Sequence, residues 1–264
     1  MLKKLLHYDL KWCFKVVVIY YGLGLLFSCL GRLLDFMPDT FFWGLIAGIT
    51  KGIGVGLSVS GFVNSFIRMW VRMVVSMYKD ESYLMHTLPV DIRTHFLAKF
   101  IATIVTICTS IIVIFVCVVI SYGTKENFEG FIDTLNILSN NFEGSFAIFI
   151  ALMVLVLMAE FIYMVMMGFF GIVIGHRSDT KRALKSLFIS VGAYMATNSI
   201  TGVILLLSSI VSTDLYGMLF KQQVAVGYTF LCTLMVLTIL LYSAYTAILY
   251  WLTVKNLRKG VNID

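Results

Sequence analysis

Charged residues are scarce in this sequence. Asp, Glu, Lys and Arg make up 13% of the 264 residues, whereas hydrophobic residues make up 60%. Soluble domains carry about 25% charged residues, so the composition excludes an ordinary water-soluble enzyme. Proline is almost absent, with two residues, which argues against Pro-rich linkers between domains. No segment is long and polar enough to form a separate soluble domain.

The sequence also lacks the usual patterns of metal, nucleotide and redox sites. Its five cysteines lie in or beside apolar runs without the paired spacings of a disulfide framework or zinc site. The four histidines form no His-Glu-x-x-His pair, so no metal site is predicted. No Gly-x-x-x-x-Gly-Lys-Ser/Thr run is present to hold phosphates. The chain is therefore not predicted to be an enzyme or to bind a cofactor itself.

Long apolar windows are the main feature that is present. A hydrocarbon core about 30 Å thick requires about 20 residues of helix, and these windows are too long for barrel strands. They lie at about residues 16–34, 41–69, 97–122, 145–174, 186–211 and 224–253. We predict an all-α polytopic membrane protein in which six transmembrane helices form a single transmembrane domain over residues 1–264.

The distribution of basic residues predicts the orientation. Sixteen of the 20 lysines and arginines fall in the two terminal segments and the loops on their side of the membrane. An excess of Lys and Arg marks the cytoplasmic side, so both termini are predicted to be cytoplasmic. The net charge of +6 then faces anionic lipid, and a nucleic-acid partner is not expected.

The segment before the first span has the pattern of an interfacial helix. One side of the helix is apolar and the other is basic, although Lys3 and Asp9 depart from this pattern. The apolar residues are Leu2, Leu5, Leu6, Leu10, Cys13 and Phe14, and the basic ones are Lys4, Lys11 and Lys15. The alternative is a plain basic flank without a special role.

The loop between the second and third spans predicts a short cytoplasmic helix. Asp80, Glu81 and Ser82 suit a helix start, and Pro89 ends the helix after about two turns. Asp91 can cap the next helix. The short helix would present Tyr83, Leu84, Met85 and Leu88. Apolar side chains exposed on the water side require a partner, either lipid or protein.

This loop resembles that of a known family. The run Asp80-Glu81-Ser82-Tyr83-Leu84-Met85-His86-Thr87-Leu88-Pro89-Val90, followed by Lys99, is similar to the cytoplasmic loop of type-2 permeases of bacterial ATP-binding-cassette exporters. The resemblance implies a coupling helix that docks on a separate ATPase subunit. The docking residues would be Glu81, Tyr83, Leu84, His86, Leu88 and Pro89.

The same resemblance implies the partners and the location. Such a permease pairs with a second permease subunit, as a homodimer or heterodimer, in the bacterial plasma membrane among its lipids. ATP and Mg would bind to the ATPase subunit. The exported substrate would be amphiphilic, such as a peptide antibiotic, a lipid or a drug-like molecule.

Two charges lie deep inside predicted spans. Lys51 and Glu160 are each about 15 to 22 Å from the outer membrane edge at 1.5 Å per residue. A charge at such depth costs at least about 2.5 kcal/mol in lipid, so each should face protein or water. They can form a structural pair, or a substrate or proton site. Asn198 can form an interhelical hydrogen bond or line a transport path.

The alternative function is a secondary transporter driven by an ion gradient, with Glu160 as the proton carrier. Against it, the two halves of the chain do not carry matching spans interrupted by Gly or Pro.

Two further patterns bear on helix contacts. Gly44, Gly48, Gly52 and Gly56 repeat every four residues, a spacing that permits close approach of membrane helices. This row can serve packing within one subunit, a dimer seam or the lining of a path. The outer loop over residues 123–144 predicts an amphipathic helix that either packs as a lid or contacts an amphiphilic substrate.

Overall fold

The structure, a computed structural model, describes residues 2–38, 40–79, 81–83, 90–140, 144–178, 180–211, 217 and 228–259. All regular secondary structure in these ranges is helical. The helices are α1 Leu2–Leu34, α2 Phe41–Tyr78, α3 Ile92–Tyr122, α4 Lys125–Asn140, α5 Phe146–Gly175, α6 Arg182–Val211 and α7 Tyr228–Leu257.

Six of the described helices, all except α4, are long and apolar enough to cross a membrane. The predicted all-helical fold with six candidate spans is therefore confirmed, and the protein has the character of a multi-pass membrane protein. The longest extensions beyond the predicted windows are in three helices, because α1 begins at Leu2, α2 continues to Tyr78 and α3 begins at Ile92. At 1.5 Å per residue, the 38 residues of α2 span about 57 Å, well beyond the hydrocarbon core.

The N-terminal segment differs from the prediction. Residues 2–14 and the first span form one continuous helix, α1, so a separate interfacial helix is not distinguished. The buried residues of α1 follow one stripe along the helix that includes Asp9, Cys13 and Val17. The burial of Asp9 gives the physical reason, because this residue holds the N-terminal turns against the neighbouring helices of the same unit.

The described chain divides into two compact units, the first ending at Phe131 and the second beginning at Ile132. In the first unit α1, α2 and α3 pack against one another. Their apolar core contains Cys13, Val17, Tyr21, Met69 and Ala102. A Cβ on Gly54 would lie 2.6 Å from the Ser28 nitrogen, so α1 and α2 approach closely only because residue 54 is glycine.

In the second unit α5 packs against both α6 and α7. Gly171 and Gly175 lie so close to Ser190 and Ser186 of α6 that neither position has room for a Cβ atom. The C-terminal half of α5 is mostly buried, including Tyr163. These contacts place the middle of α5 beside tyrosines and threonines of its two neighbours.

Within the first unit, the predicted glycine row makes no close helix contact among the described residues. A Cβ at Gly44, Gly48, Gly52 or Gly56 would meet nothing within 4 Å. The row lies on the exposed side of α2, whereas the close contact with α1 is made by Gly54 on the other side. Within the first unit, the close packing of α2 on α1 is therefore made at Gly54 and not by this row, and the three interpretations of the row stay predictions.

The predicted outer helix is present as α4, and none of its residues is buried. Its apolar side chains Phe128 and Phe131 are exposed. Both interpretations of this helix, as a lid or as a contact for an amphiphilic substrate, stay predictions.

Candidate functional site

The start of the predicted coupling segment is held by α2. The Arg72 guanidinium donates from Nη1 to Glu81 Oε2 at 2.7 Å. Ser82 is buried, whereas Tyr83 is 67% exposed. The other predicted docking residues, Leu84, His86, Leu88 and Pro89, lie outside the described residues.

Arg72 also belongs to a buried ionic group. Its Nε donates to Asp9 Oδ1 at 2.7 Å, and Lys99 Nζ donates to the two carboxylate oxygens of Asp9 at 3.2 and 3.3 Å. Glu81, Arg72, Asp9 and Lys99 therefore form a continuous chain of ion pairs, which we call the Asp9 cluster. It brings together α1, α2, α3 and the first residues of the coupling segment.

Three members of the Asp9 cluster are deeply buried, Glu81 is partly exposed, and the charges of the four balance. Asp9 and Lys99 are each 1% exposed, and Arg72 is 6% exposed. Two cations face two carboxylates, so the net formal charge is zero. Charges can be buried at modest cost only when they are paired and hydrogen-bonded. The geometry therefore favours a fixed junction between the helix ends.

Trp12 completes the surroundings of this cluster. The Cζ atom of Arg68 lies 4.4 Å from the centroid of the Trp12 ring, and that of Arg72 lies 5.5 Å from it. Arg68 also donates from Nη2 to the Trp12 carbonyl at 3.2 Å. Cation–π contacts of this kind add to the attachment of α1 to α2.

Lys51 has a partner that the sequence analysis did not name. Its Nζ lies 2.6 Å from Asp35 Oδ1 and 5.8 Å from the centroid of the Tyr122 ring. Asp35 follows the last residue of α1, and Tyr122 ends α3. Lys51 therefore lies level with the end of α1 at Leu34 and the end of α3 at Tyr122. Its depth in a membrane stays a prediction.

Glu160 is placed in the second unit, near the middle of α5, and is half-buried. Among the described residues of that unit it forms no ion pair. It interacts electrostatically with Tyr242 of α7. Its proposed pairing with Lys51 stays a prediction, and Lys51 has Asp35 as a counter-charge in its own unit.

Near Glu160, a tyrosine of α5 packs against two tyrosines of α7. The ring of Tyr163 stacks on Tyr242 with a centroid distance of 5.2 Å and lies 6.1 Å from Tyr245. The Tyr163 hydroxyl is hydrogen-bonded to Thr197. The Tyr245 hydroxyl is 3.0 Å from Thr201 Oγ1. We call Glu160 with Tyr163, Tyr242 and Tyr245 the tyrosine site.

Asn198 lies beside this site on α6 but does not make the predicted kind of interhelical bond among the described contacts. Its Nδ2 donates to the Tyr194 carbonyl, one turn earlier on the same helix, at 3.0 Å. The side chain is exposed, so its role in a transport path stays a prediction.

Sequence reasoning missed Asp9 and Arg72 as site residues. Asp9 is an acidic residue in an otherwise apolar and basic N-terminal segment, and this exception was the available signal. Arg72 is one of several basic residues that satisfy the positive-inside pattern. Only the packing of α1 against α2 and α3 distinguishes Arg72 and Lys99 from ordinary flanking charges.

No family model, curated protein or solved structure matches the chain. What it does must therefore be inferred from its own residues. In the described part of the chain, no three His, Cys, Asp or Glu side chains come together as a group that could hold a metal ion.

Proposed function

We propose that this protein is the transmembrane permease subunit of an ATP-driven exporter in a bacterial plasma membrane. It would work with a second permease subunit and with separate ATPase subunits that bind ATP and Mg. Its substrate would be amphiphilic, since the six candidate spans offer an apolar route.

One observation carries the proposal. Glu81, at the start of the predicted coupling segment, is joined through Arg72 and Asp9 to Lys99. A docking segment can transmit movement only if it is attached firmly to the helices that must move. The Asp9 cluster supplies such an attachment to α1, α2 and α3 at once.

The mechanism follows from this attachment. Closure of the ATPase subunits on ATP would displace the coupling segment, and the salt bridge from Glu81 to Arg72 would carry the displacement into α2. Asp9 and Lys99 would make α1 and α3 follow as one body. Because cores are close-packed, a displaced helix end moves its neighbours rather than deforming alone.

The direct test is site-specific photo-crosslinking in native membranes. A benzoyl-phenylalanine at Tyr83, which is 67% exposed, should form an adduct that mass spectrometry identifies as an ATP-binding subunit. The matched control is the same photo-reactive residue at Phe128, which is 63% exposed on α4 and predicted to lie outside the cell. Adducts with lipid alone at position 83 would contradict the docking assignment.

The docking prediction can also be tested by substitution. Leu84→Asp and Leu88→Asp should abolish co-purification of the ATPase subunit, because a charge on the apolar side of a docking helix must be desolvated on binding. Glu126→Gln on α4 is the control and should leave co-purification unchanged. Retention of the ATPase by both aspartate variants would refute the docking role of this segment.

A secondary transporter with Glu160 as proton carrier is the second candidate, and one observation favours it. Glu160 has no basic partner among the described residues of its unit, as expected of a group that exchanges protons. Transport by reconstituted vesicles separates the two functions. The exporter requires ATP and its ATPase subunit, whereas the secondary transporter stops when a protonophore collapses the gradient.

A further inference from the structure

Glu160 is an isolated charge within its unit. It lies about 22 Å along α5 from the C-terminal end of that helix at 1.5 Å per residue. The basic residues of α6 and α7 are Arg182, Lys185 and Lys255, all near one end of their helices. Nothing in the described part of this unit therefore neutralises the carboxylate at its own depth. An intramembrane charge of this kind is by default a site hypothesis.

Aromatic rings lie beside this charge. Glu160 and Tyr163 are three residues apart on α5, so their side chains leave the helix on the same side. Tyr163 stacks on Tyr242 with an angle of 29° between the ring planes. Tyr242 also interacts electrostatically with Glu160. A carboxylate thus stands beside a stack of tyrosine rings.

Part of the tyrosine site is buried and part of it is accessible. Tyr163 and Tyr245 are buried, at 2% and 8% exposure, and their hydroxyls are bonded to threonines of α6. Glu160 and Tyr242 are half-buried, and Tyr194 of α6 is 43% exposed. The buried tyrosines fix the position of the rings, while the carboxylate and Tyr242 remain within reach of a ligand.

We propose that the tyrosine site, consisting of Glu160 with Tyr163, Tyr242 and Tyr245, binds the cationic group of a hydrophobic cation at Glu160 and Tyr242. The carboxylate supplies the counter-charge and the accessible part of the Tyr242 ring supplies a π face, the combination that recognises quaternary ammonium groups, while the buried Tyr163 and Tyr245 fix the position of the rings. The inference rests on the proposed export function and names its substrate class, an amphiphile with a positive charge. An anionic amphiphile would be repelled by Glu160 in a medium of low dielectric.

Two hydrophobic ions of matched size and opposite charge provide the test. The purified full chain in lipid nanodiscs should bind radiolabelled tetraphenylphosphonium saturably, with empty nanodiscs as the blank. Unlabelled tetraphenylphosphonium should displace the label, and tetraphenylborate should not. Glu160→Gln should weaken binding by about tenfold or more, because it removes the charge but keeps the shape.

Substitutions of Tyr242 test the aromatic contribution. Tyr242→Phe keeps the ring and should leave the affinity unchanged, whereas Tyr242→Leu should weaken binding by about fivefold. Glu126→Gln on α4 is the matched control for charge and should bind like the unmodified chain. Thermal unfolding of each variant verifies folding, and Glu160→Gln should unfold no earlier than the unmodified chain, because it removes an unpaired charge.

Three results would overturn the inference. They are absence of saturable binding, unchanged affinity in Glu160→Gln, and equal displacement by tetraphenylborate. None of these measurements requires an ATPase subunit. If no cation binds, the crosslink from position 83 to an ATP-binding subunit is still expected. If the crosslink does not form, cation binding is still expected, so the failure of one proposal is distinguishable from the failure of the other.

Discussion

Replacement of Asp9 by asparagine should destabilise the first unit more than any exposed substitution. Asp9 is 1% exposed and is shared by Arg72 and Lys99. Asparagine has nearly the same shape but no charge. Arg72 would keep Glu81 as a partner, whereas Lys99 would become a buried cation without a counter-charge in the described contacts.

The size of the effect follows from the geometry. At the Lys99–Asp9 separation of 3.2 Å, Coulomb's law with an effective dielectric constant of about 20 gives roughly 5 kcal/mol. Desolvation of both groups offsets part of this attraction. Removing one member of a buried pair therefore costs about 3–5 kcal/mol in the free energy of unfolding.

Reversible unfolding in mixed micelles, followed by circular dichroism and tryptophan fluorescence, measures this free energy. The control is Lys125→Met, which breaks an exposed pair on α4 with side-chain exposures of 90% and 62% and should change it by less than about 0.5 kcal/mol. The double variant Asp9→Asn with Lys99→Met removes both members and should regain about 2 kcal/mol over Asp9→Asn alone. If Asp9→Asn unfolds like the control, or the double variant regains nothing, the ionic junction does not hold the helix ends together.

Three shorter predictions concern helix packing, the outer ion pair and topology. Gly54→Ala should cost about 1–3 kcal/mol in unfolding free energy because its Cβ has no room, whereas Gly56→Ala, with open space around it, should gain up to about 1 kcal/mol from helix propensity. Asp35→Asn should lower the free energy of unfolding by only about 1 kcal/mol, since the side chains of Lys51 and Asp35 are 14% and 31% exposed. The double variant Lys51→Asp with Asp35→Lys, which exchanges the two charges, should restore the lost stability. In a cysteine-free chain, an impermeant maleimide should label a cysteine at position 126 in intact cells and one at position 86 only after permeabilisation; labelling of position 86 in intact cells would invert the topology.

The helices could be predicted from sequence because their signal is local. A span requires about 20 successive apolar residues. Five of the six predicted windows agree with a described helix to within one residue at one end, namely at residues 34, 41, 122, 146 and 211. The helices extend beyond several windows, because hydropathy detects the apolar core and not the turns that continue into water. Near Arg72, for example, α2 carries two arginines, Arg68 and Arg72, and yet remains helical as far as Tyr78.

The ion pairs and the contacts between helices could not be predicted in the same way, because they depend on which helices touch and at what level along their axes. Hydropathy places Lys51 ten residues inside α2 but does not reveal that this level coincides with the end of α1, where Asp35 lies. The glycine row is not the contact of α2 with α1 for a related reason. Its spacing was suitable, but the side of α2 that meets α1 carries Gly54.

The Asp9 cluster and Glu160 have opposite physical consequences. In the Asp9 cluster every charge has an opposite partner, so the cluster fixes helix ends and gains nothing from a ligand. Glu160 has no such partner in the described part of its unit, and a charge in mid-membrane costs about 2.5–3.5 kcal/mol by insertion measurements. An apolar residue at position 160 would avoid that cost. A ligand that brings a positive charge would offset it on binding, and this difference in free energy is what makes the tyrosine site, and not the Asp9 cluster, the place to look for the substrate.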